Sequence, residues 1–240
     1  MNSVKIKKLP KRIKIYNIKT FVIKKKKTLI VALAFTAVLV IATFITLEIR
    51  KQLYVNELLT TYQSELTAAN VTDKTFIVDG IDHTNLLFNL ISDIYFENAE
   101  KDSVQDALNT NTQKLSLYFA KNYTEEQKIQ FTNLWKEYIQ TFVEYTNAKK
   151  SGDIFKIREQ LSKITSYPAK IATFYNSLNP NFSLDLVNLI FSDYSSTIKT
   201  IIDTYDVKDY KGVYMHRKVA ISQMEKINTL ISSAIENSFK

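Results

Sequence analysis

The chain has 240 residues, with 32 Lys and Arg against 24 Asp and Glu, two His, three Gly, three Pro and no Cys. Without cysteine there is no disulfide framework, thiolate metal site, catalytic thiol or lipidated anchor cysteine. Three glycines are too few for phosphate-cradling loops. The net charge of +8 is unevenly spread: residues 1–27 hold eleven bases and no acid, which leaves 21 bases and 24 acids, a balance of −3, for residues 28–240.

The basic tail interleaves Lys and Arg with Ile, Leu, Tyr and Phe and ends in Lys24, Lys25, Lys26 and Lys27. Bases beside a membrane attract anionic lipid headgroups, each worth about 1 kcal/mol, or act only as a topology determinant. Nucleic acid is not expected as a partner, because 27 residues with Pro10 among them make no recognition module. Residues 28–47 follow, TLIVALAFTAVLVIATFITL, without a charge. At ~1.5 Å per residue a helix of that length spans the ~30 Å hydrocarbon core. Its threonines, Thr28, Thr36, Thr43 and Thr46, can bond back to the preceding turn. A signal peptide's apolar region is shorter and ends in a small-x-small site, whereas this run closes on Leu47-Glu48-Ile49-Arg50. The expectation is an uncleaved signal anchor. The bases put the N-terminus in the cytoplasm and residues 48–240 outside.

Beyond the span, Glu48 to Asn70 reads as a helical stalk with Val55, Leu58, Leu59, Tyr62 and Leu66 on one face. Turn signals at Thr72-Asp73 and Asp79-Gly80 close a stalk and linker over residues 48–80. Helical spacing then predicts helices near 82–100, 103–121, 125–150, 154–178, 183–205 and 210–237, a bundle over residues 81–240. Thr124 with Gln127 predicts a capping box. Gly152 predicts a left-handed stop, with Asp153 as the next N-cap. Asn181 or Ser183 can cap the fifth helix, and Pro168 should kink or break the fourth near Tyr167.

One pattern recurs: apolar, x, x, apolar, apolar, x, acid, apolar. Its copies are Leu87 to Ile94, Phe131 to Tyr138 and Val187 to Tyr194. On a helix the four apolar positions fall at about 0°, 300°, 40° and 340°, one narrow stripe, and the acid at about 240°, on its edge. Copies 44 and 56 residues apart predict an all-α fold of about three αα-hairpins.

At this octet the chain resembles a family of small bacterial all-helical proteins of uncharacterised function that carry Leu-x-x-Leu-x-x-[Asp/Glu]-His at comparable helix positions. The stretches Asn147 to Asp153, Ile171 to Pro180 and Ile231 to Phe239 fit as well, so the resemblance covers residues 84–239. It implies a helical bundle and almost nothing about activity. Where the family pattern places His, this chain has Ile94, Tyr138 and Tyr194. The acids that remain, Asp93, Glu137 and Asp193, form a carboxylate-only set suited to hard cations such as Mg²⁺, Ca²⁺ or Mn²⁺ if the three helices converge. Otherwise they are helix-flank carboxylates, solvated or paired with a lysine.

Other chemistry is thinner. His83, beside Asp82, reads as a helix-start residue, and His216 as a surface imidazole among bases. No serine sits in a strand–turn–helix elbow. Tyr95, Tyr118, Tyr138, Tyr145, Tyr175, Tyr194 and Tyr205 should fill the core with their hydroxyls at its rim. The expectation is a single-pass membrane protein presenting an extracytoplasmic bundle, non-catalytic and without a cofactor. Its partners would be the lipid bilayer and a protein at the cell surface. The alternatives are a metal- or small-ligand-binding bundle, or a sensory bundle acting through a membrane partner.

Overall fold

The computed structural model describes residues 36, 39–47, 49, 50, 53, 74–120, 123–180 and 182–237, and the chain divides into two units, Met1–Thr60 and Thr61–Lys240. Lys24 to Lys27, the stalk stripe from Val55 to Leu66, and residues 28–35, 37 and 38 of the expected span lie outside the described residues. Among the described residues no helix is long and apolar enough to cross a membrane. In the first unit, residues 39–47 are helical and all exposed. The Thr43 hydroxyl donates to the Leu39 carbonyl, and that of Thr46 to the Ala42 carbonyl at 2.7 Å. This is the back-bonding expected of a threonine without other partners.

The second unit is all-α among its described residues: α1 (Lys74–Phe96), α2 (Lys101–Ala120), α3 (Glu125–Ser151), α4 (Ile154–Leu178), α5 (Leu184–Asp206) and α6 (Tyr210–Asn237). Connections of two to five residues turn each helix back along its predecessor, giving three αα-hairpins. Every helix packs on the next, and α6 packs on α1, closing a ring. Helix α3 also reaches α1 and α5, so the three octet-bearing helices meet inside it.

The caps form as their residues dictate. Thr124 takes the Gln127 amide on its hydroxyl while the Gln127 side chain accepts from the Thr124 amide. Gly152, at φ 69°, ends α3 in a Schellman arrangement: its amide donates to the Lys149 carbonyl and that of Asp153 to the Ala148 carbonyl. Asp153 then caps α4 through the Phe155 and Lys156 amides, and Ser183 caps α5 through Leu186.

Two local expectations are corrected. Helix α1 begins at Lys74, so residues 74–80 belong to the bundle and Asp79-Gly80 is helix rather than turn. Gly80 is there for close approach: a Cβ at that position would lie 1.5 Å from the Asn228 Nδ2 of α6. Pro168 sits inside an unbroken α4. An interior proline costs about 3 kcal/mol, but Tyr167, Pro168, Ile171 and Ala172 are all buried. Burying a large apolar side chain returns about 1.5–3 kcal/mol, so packing overrides the local preference.

The octets line the core. Leu87, Leu90, Ile91, Ile94, Phe131, Trp135, Tyr138, Val187, Phe191 and Tyr194 are buried, and Leu134 and Ile190 pack against them. The tyrosines pack as expected, but several hydroxyls are paired inside the bundle rather than at its rim. Tyr138 bonds Ser195 at 3.0 Å, Tyr194 bonds Thr84 at 2.8 Å and Tyr118 bonds Ser232 at 2.9 Å. These pairs join α3 to α5, α1 to α5 and α2 to α6. Among the described residues no Asp, Glu, Lys or Arg is buried.

Candidate functional site

The three octet acids sit on the outer edges of their stripes, as their helical angle requires, and each meets a different local environment. Asp93 is half-buried and accepts from Asn98 Nδ2 at 2.6 Å, near the end of α1. Glu137 is exposed and pairs with Lys170 of α4 at 2.8 Å. Asp193 is exposed by area, yet its neighbours crowd it enough that desolvation holds its carboxyl above the usual range. Among the described residues no group of three or more His, Asp or Glu could hold a metal ion. The apolar stripes converge, and the acids stay at their flanks.

His83 is not a helix-start residue. With α1 beginning nine residues earlier, its ring lies fully inside the bundle, 5.6 Å from the Trp135 ring. Its Nδ1 is 2.9 Å from Asn111 Oδ1, and Asn111 Nδ2 donates to the Asp79 carbonyl at 3.0 Å. The amide orientation therefore assigns the imidazole proton to Nδ1 and leaves Nε2 an acceptor. That Nε2 and the Trp135 Nε1–H are both buried without a partner. Burial lowers the His83 pKa to about 4, with the Asn111 bond opposing the shift. His216 is partly exposed on α6.

The densest polar cluster was not singled out by the sequence. Near the end of the bundle where α1, α3 and α5 finish, Asp203 Oδ1 accepts from the Tyr145 hydroxyl at 2.9 Å and Lys149 Nζ at 3.3 Å. Its Oδ2 takes Lys199 Nζ at 2.5 Å, and Lys149 also reaches Asp206 at 3.0 Å. Burial pushes the Asp203 carboxyl up, but Lys199, Tyr145 and Lys149 together outweigh it and hold it below the usual carboxylate range. Burial likewise raises the Tyr145 hydroxyl, and the bond to Asp203 adds to the rise. Alongside, Tyr95 stacks on Tyr205 at 5.3 Å and donates to the Ile202 carbonyl at 3.2 Å. Lys199 and Asp203 stand four apart on one helix, a visible signal. Tyr145 and Lys149 lie more than fifty residues away, and nothing in their spacing announces the pairing.

At this same end several large apolar side chains face solvent. Phe155 is 85% exposed and Val207 73%, with Ile154, Phe96 and Tyr210 also exposed. The connections between α3 and α4 and between α5 and α6 thus present apolar groups next to a satisfied ion-pair network.

Compared with known proteins, the chain matches no family model, no curated protein and no solved structure.

Proposed function

We propose that the chain is a single-pass membrane-anchored protein that presents its helical bundle outside the cytoplasm as a non-catalytic binding or interaction module at the cell surface. The observation that carries this reading is the helix at residues 39–47. Leu39, Val40, Ile41, Phe44, Ile45 and Leu47 are each more than half exposed, and together with exposed Ala42 they point to all sides at 100° per residue. A helix apolar all round needs an apolar environment on every side, and a bilayer supplies one. With residues 28–38 the uncharged run reaches the length of a span, and Lys24 to Lys27 beside it would meet anionic headgroups from the cytoplasm.

The non-catalytic reading is supported by how the reactive groups are used. His83 is sealed against Trp135, Asp203 is committed to Tyr145, Lys149 and Lys199, and Glu137 to Lys170. Exposed Phe155 and Val207 support an interaction role with a protein partner. The octet resemblance to bacterial helical-bundle proteins belongs to the same proposal. It adds a fold expectation and no activity.

Protease treatment of intact cells tests the topology. External protease should remove the bundle and leave a protected N-terminal fragment that resists alkaline carbonate extraction. A bundle that survives in intact cells and is cleaved only after lysis would overturn the orientation, and a fully extractable chain would overturn the anchor.

A further inference from the structure

The stretch 207–224 runs against the charge of the rest of the bundle. It holds four bases, Lys208, Lys211, Arg217 and Lys218, and one acid, Asp209, whereas residues 28–240 together carry −3. Most of it forms the first half of α6. There Tyr210, Lys211, Tyr214, Met215, Lys218 and Val219 are all exposed. At 100° per residue they occupy one half of the helix surface. Tyr210 and Tyr214 form one side of that face, and Met215 and Val219 the other. Lys211 and Lys218, seven residues apart, run down its middle, within about 20° of each other and about 10 Å apart along the axis.

Neither lysine is neutralised. Among the described residues no carboxylate lies within ion-pair distance of either. Asp209 is committed to the start of α6, where it accepts from the Gly212 amide at 2.9 Å. Glu225, the next acid along, is seven residues beyond Lys218. The Lys218 ammonium rests 4.7 Å from the Tyr214 ring centroid, which orders the side chain and leaves its charge without a counter-ion. One face therefore combines exposed apolar groups with two ammonium groups at a fixed spacing.

We propose that this face docks an acidic amphipathic helix of a partner protein, one carrying two carboxylates seven residues apart with apolar side chains between them. The carboxylates meet Lys211 and Lys218, and the apolar side chains pack on Tyr214 and Met215. Charge selects against other occupants. A second copy of the same face would set lysine against lysine. A helix lying on a membrane keeps its bases on the polar side of its apolar face; here they run down the middle, where a bilayer would have to bury them. Docking here rests on the bundle's role as a protein-binding module, and not on its anchor or orientation.

A fluorescein-labelled synthetic helix, built on alanine and glutamine with two Glu seven residues apart and two Leu midway between them, tests it. Anisotropy with the full-length chain in neutral detergent should give a Kd of about 100 µM or tighter. Replacing both Glu by Gln, or moving one Glu two residues so that it leaves the face, should weaken binding about tenfold. Lys211→Gln and Lys218→Gln, both exposed, should each weaken it about fivefold while melting like the parent chain. Met215 is exposed and Met224 buried, so mild peroxide oxidation mapped by mass spectrometry reads coverage of the face against an internal reference. The acidic peptide should protect Met215. A Kd weaker than about 100 µM, control peptides that bind as well, or lysine variants that both bind like the parent would overturn the proposal. So would protection of Met215 by phosphatidylglycerol in the micelles, or by a higher concentration of the chain itself, in place of protection by the peptide; these assign the face to lipid or to a second copy. Should a variant misfold, the peptide series on the parent chain still decides. Because binding is read on the purified chain, its failure leaves the protease result on topology standing.

Discussion

Gly80 and His83 show what a single residue can hide. Both lie where a turn and a helix start are expected, and both prove to be mid-helix positions determined by a partner far along the chain, Asn228 for one and Asn111 for the other. A glycine beside an aspartate carries the same local signal whether it makes a turn or admits a neighbouring helix. Only the tertiary contact separates the two. Gly80→Ala should therefore destabilise the bundle by about 2 kcal/mol, because the overpacking against Asn228 exceeds the gain of about 1 kcal/mol in helix propensity. Urea unfolding followed by circular dichroism reads the difference.

The histidine gives a pH dependence with a definite sign. Its folded pKa of about 4 lies below the ordinary 6.5, so the unfolded chain binds a proton that the folded chain refuses. This contribution to stability is complete above pH 6.5. It falls as pH drops toward 4, by about 3 kcal/mol in all. His83→Gln removes the titration, so the stability gap between parent and variant should shrink by about that amount between pH 7.5 and pH 4. An unchanged gap would mean that His83 is not held neutral.

The elements were the most legible level, because helix ends are written in short-range chemistry. Thr124 with Gln127, Gly152 with Asp153, and Ser183 all cap where their residue types predict. The octet stripes face inward because 3.6-residue periodicity is a property of the helix itself. At the start of α1, and at Pro168, where α4 runs on without a break, burial outweighs a local rule. Gly152→Ala should cost about 1 kcal/mol through its left-handed backbone alone, since an added Cβ there meets nothing within 4 Å. A loss much larger than that in thermal unfolding would show that the α3–α4 turn carries more than backbone strain.

At the scale of the whole molecule, hairpin order could be inferred from the repeat, but the closure of α6 onto α1 could not, because no local signal joins the two ends of a ring. The candidate sites divide along the same line. The flank positions of Asp93, Glu137 and Asp193 follow from helical angle, whereas the Tyr145–Asp203–Lys149 cluster needs two helices brought together. Ring closure also predicts how truncation fails. A chain stopped after Val207 bares the faces of α1 and α5 that α6 covers, and it should lose cooperative unfolding altogether and aggregate. A truncated chain that still melts in one sharp transition would show that five helices suffice.

Because the chain enters the bundle at α1, the first turns of that helix are also its mechanical base. Phe76 stacks on Tyr118 at 4.4 Å and meets Phe119 edge-on, while Lys150 clasps the far end of α1 at the Ile94 carbonyl and Glu97. A load applied at Lys74 falls first on that aromatic seat, well before it reaches the clasp.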